Sequence, residues 1–237
     1  MEFNSLEYAL LLVVTSLLFF GAGYRARLMI LIVASLIFYA AWNVPLVSLI
    51  VVSAVVDYTA GRMLGRTKGE GWRKALLALS LVLNLGLLGY FKYANFFLAN
   101  FHELMGHAPG EGQLLDIVLP PGISFYTFQT MSYTIDVYRR KISPTSSFLR
   151  FFLYVSFFPQ LIAGPIERAG HLLVQFDHAA TRAFQVENLV GGGQMIVFGM
   201  FKKVVIADHC GRLADQVFAD PSGFDGWTAL IGVYAFT

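Results

Sequence analysis

Apolar residues in this sequence come in long runs, and this feature constrains the fold more than any other. The segment 28–42 contains no charged residue, and the segments 6–23 and 189–206 contain very few. A helix needs roughly 20 predominantly apolar residues to cross a bilayer core about 30 Å thick. Charged residues make up 14% of the chain, whereas an ordinary soluble domain is about 25% charged. The sequence therefore predicts an all-α, polytopic transmembrane protein of about seven to eight spans.

The predicted spans are separated by short polar or proline-containing segments. They run from Leu6 to Gly23, Leu28 to Trp42, Leu46 to Leu64, Ala75 to Phe101, Pro120 to Tyr138, Phe148 to Ile166, Leu189 to Ile206 and Trp227 to Thr237. Pro159 interrupts the sixth span, and residues 167–188 are predicted to lie at the membrane interface. We predict one transmembrane domain over residues 1–237. We expect it to be truncated, because the last apolar run stops after about eleven residues, well short of a span.

The positions of lysine and arginine predict an orientation. They follow the odd-numbered spans, at Arg25 and Arg27, in residues 62–74, in residues 139–141, and at Lys202 and Lys203. The connections at Asn43 and at residues 102–116 contain neither lysine nor arginine. Since these residues concentrate in cytoplasmic loops, we expect the N-terminus to lie outside the cell. Arg168 and Arg182 fall on the outward side in this scheme and weaken it.

Several classes of function find no support in the sequence. The net charge is only +2, so nothing indicates a nucleic-acid partner. The single cysteine, Cys210, excludes an intrachain disulfide and a cysteine-based zinc cluster, and we predict no metal and no bound cofactor. The five histidines are His102, His107, His171, His178 and His209. None lies in an apolar helix beside a second catalytic group, so we predict that none is a general base.

Polar residues in the fifth predicted span form a stripe. Tyr126, Gln129, Tyr133, Asp136 and Arg140 follow one another at steps of three or four residues, which places them on one helix face. An ionised aspartate at the bilayer centre costs about 3 kcal/mol, so this face cannot point at lipid. We interpret Tyr126, Gln129, Tyr133 and Asp136 as candidates for the wall of a substrate tunnel. A tightly packed polar interface is the alternative, and Asp136 could also pair with Arg139 or Arg140.

Two other sites interrupt the apolar pattern. Asp57 lies inside the third span, where an acidic residue is either functional or paired, and Arg62 or a lysine from another helix would be its partner. The segment 157–165 carries two prolines, a glycine and a glutamine inside an apolar run, at Pro159, Gln160, Gly164 and Pro165. Each proline removes a backbone donor, so this segment is predicted to be a broken helix near a cavity, or else a kink at the end of a span.

Five segments resemble the membrane-bound O-acyltransferase family, and specifically its bacterial alginate O-acetyltransferase branch. They are LGYFKYANF at 88–96, LPPGISFYTFQ at 119–129, SYTIDVYR at 132–139, FFPQLIAGPIER at 157–168 and FKKVVIAD at 201–208. The resemblance implies a ring of transmembrane helices around a tunnel, in the bacterial inner membrane. It also implies a cytoplasmic acyl donor, such as acetyl-CoA or another acyl thioester, an acceptor hydroxyl outside, and periplasmic or extracellular partner proteins for acetylation.

The resemblance places the catalytic machinery elsewhere. In the family, a catalytic histidine in a Trp-His-Gly context lies further towards the C-terminus, and no such motif occurs here. We therefore assign no catalytic residue within the chain, expect the histidine beyond Thr237, and expect the chain alone to be inactive.

Three functions follow as hypotheses. The first is O-acetylation of an exported cell-envelope polysaccharide such as alginate. The second is D-alanyl or other acyl transfer to teichoic acid or peptidoglycan. The third is a polytopic transporter or flippase that uses the polar stripe as a pathway. Transporters often carry repeated halves with paired broken helices, whereas this sequence shows one such segment.

Overall fold

A computed structural model describes residues 4–105, 114–162, 164–181 and 184–236. The chain divides into two compact units, Met1–Arg182 and Ala183–Thr237. Within the described ranges the regular structure is helical and contains no strand. Among the described residues, three helical segments are long and apolar enough to cross a membrane, namely Val44–Arg66, Glu70–Leu104 and Val186–Ala219. These findings confirm the prediction of an all-α, polytopic membrane protein.

The first unit is built from helices joined mostly by short turns. Its α-helices are α1 (Leu6–Gly21), α2 (Tyr24–Ala40), α3 (Val47–Arg66), α4 (Glu70–Leu88), α5 (Ala94–Leu104), α6 (Ile123–Tyr138), α7 (Phe148–Ser156) and α8 (Ala169–Thr181). A π-helical segment, Gly89–Tyr93, joins α4 to α5 into one continuous helix. A π-helical segment is rare and often marks a functional position in a helix.

Two of these helices differ in extent from the predicted spans. The sixth predicted span, 148–166, contains a helix that ends at Ser156, and a turn follows it before α8 begins. Helix α4 begins at Glu70, five residues before the predicted start at Ala75. The earlier start has a physical reason, because the first turns of α4 carry Arg73, whose buried guanidinium contacts carbonyl oxygens at the ends of α3 and α6.

Helix α6 lies at the centre of the first unit. It packs most extensively against α3 and α4, and it also contacts α7 and α8. On the α7 side the ring of Tyr133 lies 4.5 Å from that of Phe151, measured between centroids. More than half of the residues of α6 are buried, although many of them are polar. The centre of an otherwise apolar bundle is thus occupied by a helix with many polar residues.

The second unit contains α9 (Val186–Phe201), α10 (Asp208–Ala219) and α11 (Gly226–Phe236). A π-helical segment, Lys202–Ala207, joins α9 to α10. Helices α10 and α11 pack against each other, with the rings of Phe218 and Phe236 5.7 Å apart. Helix α9 has no buried residue although it is strongly apolar, so its surface is suited to lipid or to other helices.

Candidate functional site

Six buried polar side chains meet where α3, α4 and α6 pack together, and we call this group the polar cluster. Each helix contributes two residues one turn apart, namely Ser53 and Asp57, Ser80 and Asn84, and Thr130 and Thr134. None of the six is more than 2% exposed. Polar atoms that are shielded from water are costly unless they form hydrogen bonds, and the contacts within the cluster meet this demand.

Asp57 is the centre of the polar cluster. Its Oδ1 accepts hydrogen bonds from the hydroxyls of Ser80 and Thr134, the latter at 2.7 Å, and its Oδ2 accepts one from Asn84 Nδ2 at 2.7 Å. Among the described residues no ion pair involves Asp57. The predicted partner Arg62 therefore does not hold this carboxylate. Three uncharged donors from two neighbouring helices hold it instead.

Asn84 connects the carboxylate to the rest of the cluster. Its Oδ1 accepts a hydrogen bond from Ser53 Oγ at 2.6 Å and a longer one from Thr130 Oγ1 at 3.5 Å. Its Nδ2 also donates to the carbonyl oxygen of Ser80 at 2.9 Å. The amide thus donates on one side and accepts on the other, which joins α3, α4 and α6. Hydrogen bonds between membrane helices contribute on average about 0.6 kcal/mol each.

Five of the six residues of the polar cluster were missed by sequence reasoning, which singled out Asp57 alone. The spacing of polar residues is the signal that could have revealed them, because each of three apolar helices carries two polar residues at i and i+4, about one turn apart. One such pair is common in membrane helices, because serine and threonine can bond the backbone of the preceding turn. Three such pairs on neighbouring spans would have predicted a shared buried site.

The predicted stripe on α6 lies beside the polar cluster, on the α7 side of the helix. Gln129 is buried, and its Nε2 donates to the carbonyl oxygen of Tyr154 at 2.7 Å. In return the Tyr154 hydroxyl donates to the carbonyl oxygen of Gln129 at 3.1 Å. This reciprocal pair fixes α6 to α7, so Gln129 has a packing role in the described part of the chain.

The two tyrosines of the stripe differ in the hydrogen bonding of their hydroxyl groups. The Tyr133 hydroxyl accepts a hydrogen bond from the backbone N–H of Thr145 at 3.1 Å, and its ring packs directly on Gly61 of α3. The Tyr126 hydroxyl is buried and interacts with the hydroxyl of Tyr39 on α2, but among the described residues no partner lies within hydrogen-bond distance of it. A buried unpaired hydroxyl is rare in native proteins and requires an explanation.

Asp136 and Arg140 form the other end of the stripe. Asp136 is half-buried and Arg140 is exposed. In the described ranges Asp136 takes part in no ion pair, so neither Arg139 nor Arg140 clamps it. Its carboxyl group is thus partly shielded, lies at the end of the central helix and has no ion-pair partner among the described residues.

The segment predicted as a broken helix forms a compact turn after α7. The backbone N–H of Gln160 and that of Leu161 both bond the carbonyl oxygen of Phe157, at 3.0 Å. The Gln160 side chain bonds the carbonyl oxygen of Pro165, and a Cβ on Gly164 would lie 2.6 Å from Gln160 Cα. The turn, which includes Pro159, contacts Gly122 at the start of α6, where a Cβ would lie 2.5 Å from the carbonyl oxygen of Leu161.

In the described part of the first unit, no histidine belongs to the polar cluster or to the stripe. His171 lies on α8, where its Nδ1 is 3.1 Å from Glu167, and His102 and His209 lie on α5 and α10. His107 lies outside the described residues. In the part of the chain that the structure describes, no group of three or more histidine, cysteine, aspartate or glutamate side chains could hold a metal ion.

Comparison with known proteins supplies the family. The chain is 42% identical over 166 residues to the probable alginate O-acetylase AlgI of Pseudomonas aeruginosa, a match that covers 68% of this chain and 30% of that protein. It is 40% identical over 164 residues to the protein of the same name from Azotobacter vinelandii, which covers 68% of the chain and 32% of the relative. It is 36% identical over 204 residues to the peptidoglycan O-acetyltransferase of Helicobacter pylori, covering 76% of the chain and 37% of the relative.

These matches define how much of such a protein the chain represents. The chain spans about a third of the length of the curated relatives that it matches. No protein-family model matches it, and no solved structure matches it. The identities nevertheless extend over two thirds or more of the chain, and the relatives are all named for O-acetylation. The chain therefore belongs to the membrane-bound O-acyltransferase family, within the branch similar to alginate O-acetyltransferases.

Proposed function

We propose that the chain is part of an enzyme that transfers an acyl group, acetyl in the first instance, to hydroxyls of an exported cell-envelope polysaccharide. The observation that carries this proposal is the identity of 36–42% to relatives named for alginate or peptidoglycan O-acetylation. A polar central helix inside an apolar bundle supports it, because a reaction that joins the two sides of a membrane needs a polar path. The acyl donor is acetyl-CoA or another acyl thioester.

The acceptor is a polysaccharide of the alginate type, and peptidoglycan is the second candidate. The comparisons with known relatives support both acceptors as candidates. The relatives named for alginate are slightly more identical to the chain, whereas the relative named for peptidoglycan matches more of it, 76% against 68%. D-alanyl transfer to teichoic acid and transport by a flippase are further alternatives, and the experiment below distinguishes them.

The test is to delete the gene in the source bacterium and to complement it on a plasmid. Exopolysaccharide and peptidoglycan are purified separately, and acetate and D-alanine released by mild alkali are measured in each fraction. We expect ester-linked acetate to disappear from the exopolysaccharide and to return on complementation. Loss from peptidoglycan alone would identify the second acceptor. Unchanged ester content in both fractions would reject acyl transfer and favour a transporter.

We further propose that Tyr126, Gln129, Tyr133 and Asp136 form one wall of the substrate tunnel, which other helices complete. Two features support this role. Among the described residues, Tyr126 offers a buried hydroxyl that has no partner within hydrogen-bond distance, and Asp136 offers a carboxyl group that takes part in no ion pair. The turn at Pro159, Gln160, Gly164 and Pro165 lies against the start of α6 through Leu161, and would close the tunnel there. Periplasmic or extracellular proteins would act with the enzyme on the acceptor.

We also propose that the protein is a multi-pass protein of the inner membrane with its N-terminus outside. The asymmetry of lysine and arginine supports this orientation. The contacts of Arg73 support it too, because they bring the basic segments 65–74 and 139–141 to the same end of the bundle. Glu70→Cys and Asp116→Cys, each in a Cys210→Ser background, test it with an impermeant thiol reagent on intact cells. We expect Asp116→Cys to react and Glu70→Cys to be protected, and the reverse result would reject the orientation.

A further inference from the structure

A cleft of about 350 Å³ opens where the ends of α3 and α6 meet the start of α4. This volume lies within the range of about 300–1,000 Å³ that is typical of small-molecule sites. Four of its lining residues are cationic, namely Lys68, Arg73, Arg140 and Lys141. None of its lining residues is acidic. We call this site the basic cleft.

The charges of the basic cleft lack an acidic counter-charge in the part of the chain that the structure describes. Among the described residues, none of the four cations forms an ion pair. Lys68, Arg140 and Lys141 are exposed, so their side chains can reach a ligand that enters from water. Thr67 and Ser143 also line the cleft and add hydroxyl groups. Cations with low-dielectric walls and no counter-charge concentrate anions strongly.

Arg73 forms the floor of the basic cleft and is only 7% exposed. Its Nη1 donates to the carbonyl oxygens of Leu64 and Thr67, and its Nη2 donates to that of Tyr138 at 2.6 Å. The carbonyl ends of α3 and α6 carry partial negative charge, which would otherwise repel an anion. Arg73 offsets that charge and holds the two helix ends in place. It therefore positions the site and leaves ligand contact to the exposed cations.

The loop that forms the opposite wall is held rigidly. The Tyr58 hydroxyl donates to the carbonyl oxygen of Ser146 at 2.8 Å, and the Thr145 N–H donates to the Tyr133 hydroxyl. Pro144 packs directly on Gly65, where no side chain could be accommodated without movement. The basic cleft is thus preformed, which lowers the entropic cost of binding.

Arg140 occupies a backbone position that favours glycine. Its φ is 60°, and among the described residues it is the one non-glycine residue with a positive φ. The Arg140 N–H donates to the carbonyl oxygen of Val137, and the Lys141 N–H donates to that of Asp136. These two hydrogen bonds place Arg140 directly after the C-cap of α6, at the position that glycine usually takes. Glycine would adopt this conformation at a lower cost, whereas arginine places a cationic side chain at the basic cleft. Strained residues of this kind cluster at ligand sites.

From these observations we propose that the basic cleft binds a phosphate group through Lys68, Arg140 and Lys141. Arginine and lysine form charge-assisted hydrogen bonds to phosphate oxygens. Two sources share this chemistry. One is a soluble nucleotide such as coenzyme A, and the other is the headgroup of an anionic phospholipid, which basic pockets between membrane helices also bind. The proposal does not rest on acyl transfer, because binding is measured without turnover.

The experiment uses the complete protein, purified in a neutral detergent. Binding of free coenzyme A and of phosphatidylglycerol is measured separately, by native mass spectrometry and by the shift in Tm at low salt. The cleft variant combines Lys68→Gln, Arg140→Gln and Lys141→Gln. The matched control combines Arg66→Gln, Lys74→Gln and Arg139→Gln, which removes the same charge from exposed residues outside the cleft lining. A second variant, Arg140→Gly, removes one cation and relieves the backbone, so it should fold at least as well as the wild type.

We expect at least one probe to bind and the cleft variant to bind it about tenfold more weakly or worse, since each tenfold loss corresponds to about 1.4 kcal/mol. The control should change the affinity less than threefold, and Arg140→Gly should weaken binding without lowering Tm. Weakened binding of coenzyme A identifies a nucleotide site, whereas an effect on phosphatidylglycerol alone identifies a headgroup site. The proposal is overturned if neither probe binds, if the cleft variant binds like the wild type, or if the control loses as much affinity.

Discussion

Helices α3 and α9 are both apolar and both belong to segments long enough to cross a membrane, yet they are packed very differently. Seven residues of α3 are buried, and they include Ser53, Asp57 and Gly61. None of α9 is buried, and a Cβ added at any of Gly191, Gly192 or Gly193 would have nothing within 4 Å. Hydrophobicity therefore identifies a membrane helix without telling which of its faces meets protein.

The difference has a physical cause. Lipid tails are as apolar as leucine, so apolar surface alone does not drive one membrane helix against another. Close packing and hydrogen bonds must do so instead. Helix α3 supplies both, through small residues that admit neighbouring side chains and through polar residues that bond α4 and α6. Within the second unit, the described residues of α9 form neither kind of contact with α10 or α11.

The largest loss of folding stability is expected for Asp57→Ala, which would break the packed region at its centre. The substitution leaves the donors of Ser80, Asn84 and Thr134 without their acceptor in a buried site. A buried unsatisfied donor costs about 1–3 kcal/mol, and membrane helices show smaller values, so we expect a loss of about 2–4 kcal/mol. Thermal unfolding of the complete protein in detergent measures it.

Thr59→Ala is the matched control for that measurement. Thr59 lies on the same helix but is exposed, and its hydroxyl bonds only the preceding turn. We expect a change within about 0.5 kcal/mol, as for other surface substitutions. Equal Tm values for the two variants would show that the polar cluster contributes nothing to stability.

The next largest change in stability is expected when glycine is replaced by alanine in α3, and the same substitution in α9 gives a direct comparison of the two helices. In Gly61→Ala the new Cβ would lie 2.7 Å from Tyr133 Cε1, so the ring must move. Overpacking of this kind costs about 1–3 kcal/mol. Gly192→Ala meets open space and should raise stability by up to about 1 kcal/mol, since alanine favours helix. A loss at Gly192 as large as that at Gly61 would show that α9 is packed in the complete protein.

A smaller gain is expected at the end of α6. A left-handed conformation costs an L-residue about 1–2 kcal/mol, and Arg140→Gly removes this cost because glycine adopts the same conformation freely. Part of the gain in folding stability is lost, because glycine has greater freedom in the unfolded chain. The net expectation is an increase of about 0.5–1 kcal/mol in the free energy of unfolding. Arg139→Gly, at a position with ordinary helical φ, should instead lower stability. A lower Tm for Arg140→Gly would show that its side chain stabilises the fold.

Much of the fold could be predicted from sequence, because long apolar runs and proline-containing turns act locally. Most helices of the first unit begin and end within a few residues of the predicted positions, the helix in the predicted sixth span being the main exception. The stripe from Tyr126 to Tyr133 is buried as its period requires. The partners of Asp57 were missed because they lie on other helices, and only the i, i+4 spacing of polar residues on three spans pointed to them. The basic cleft was also missed, since it forms only when two chain segments meet.

Asp136→Asn should change stability least and activity most, because the carboxylate lies at the boundary between the packed region and the proposed tunnel. The substitution keeps the shape and removes the charge. If Asp136 clamped a cation, the change would leave that cation unpaired and cost about 3 kcal/mol. The described residues include no such cation within ion-pair distance, so we expect the complete protein to unfold within about 0.5 kcal/mol of the wild type.

The same variant should lose turnover if the carboxylate contacts substrate in the tunnel. We expect acetyl transfer per folded molecule to fall at least tenfold, which corresponds to about 1.4 kcal/mol of transition-state stabilisation. Asp208→Asn is the control. The Asp208 side chain is 38% exposed and forms an ion pair with Lys203 at 2.7 Å, and an ion pair that is open to solvent contributes little to stability. Protein level, Tm and acetyl transfer are measured on the same preparations. Lost expression with normal activity per folded molecule would show that Asp136 is structural, because a residue that only supports the fold changes the amount of enzyme and leaves its rate unchanged.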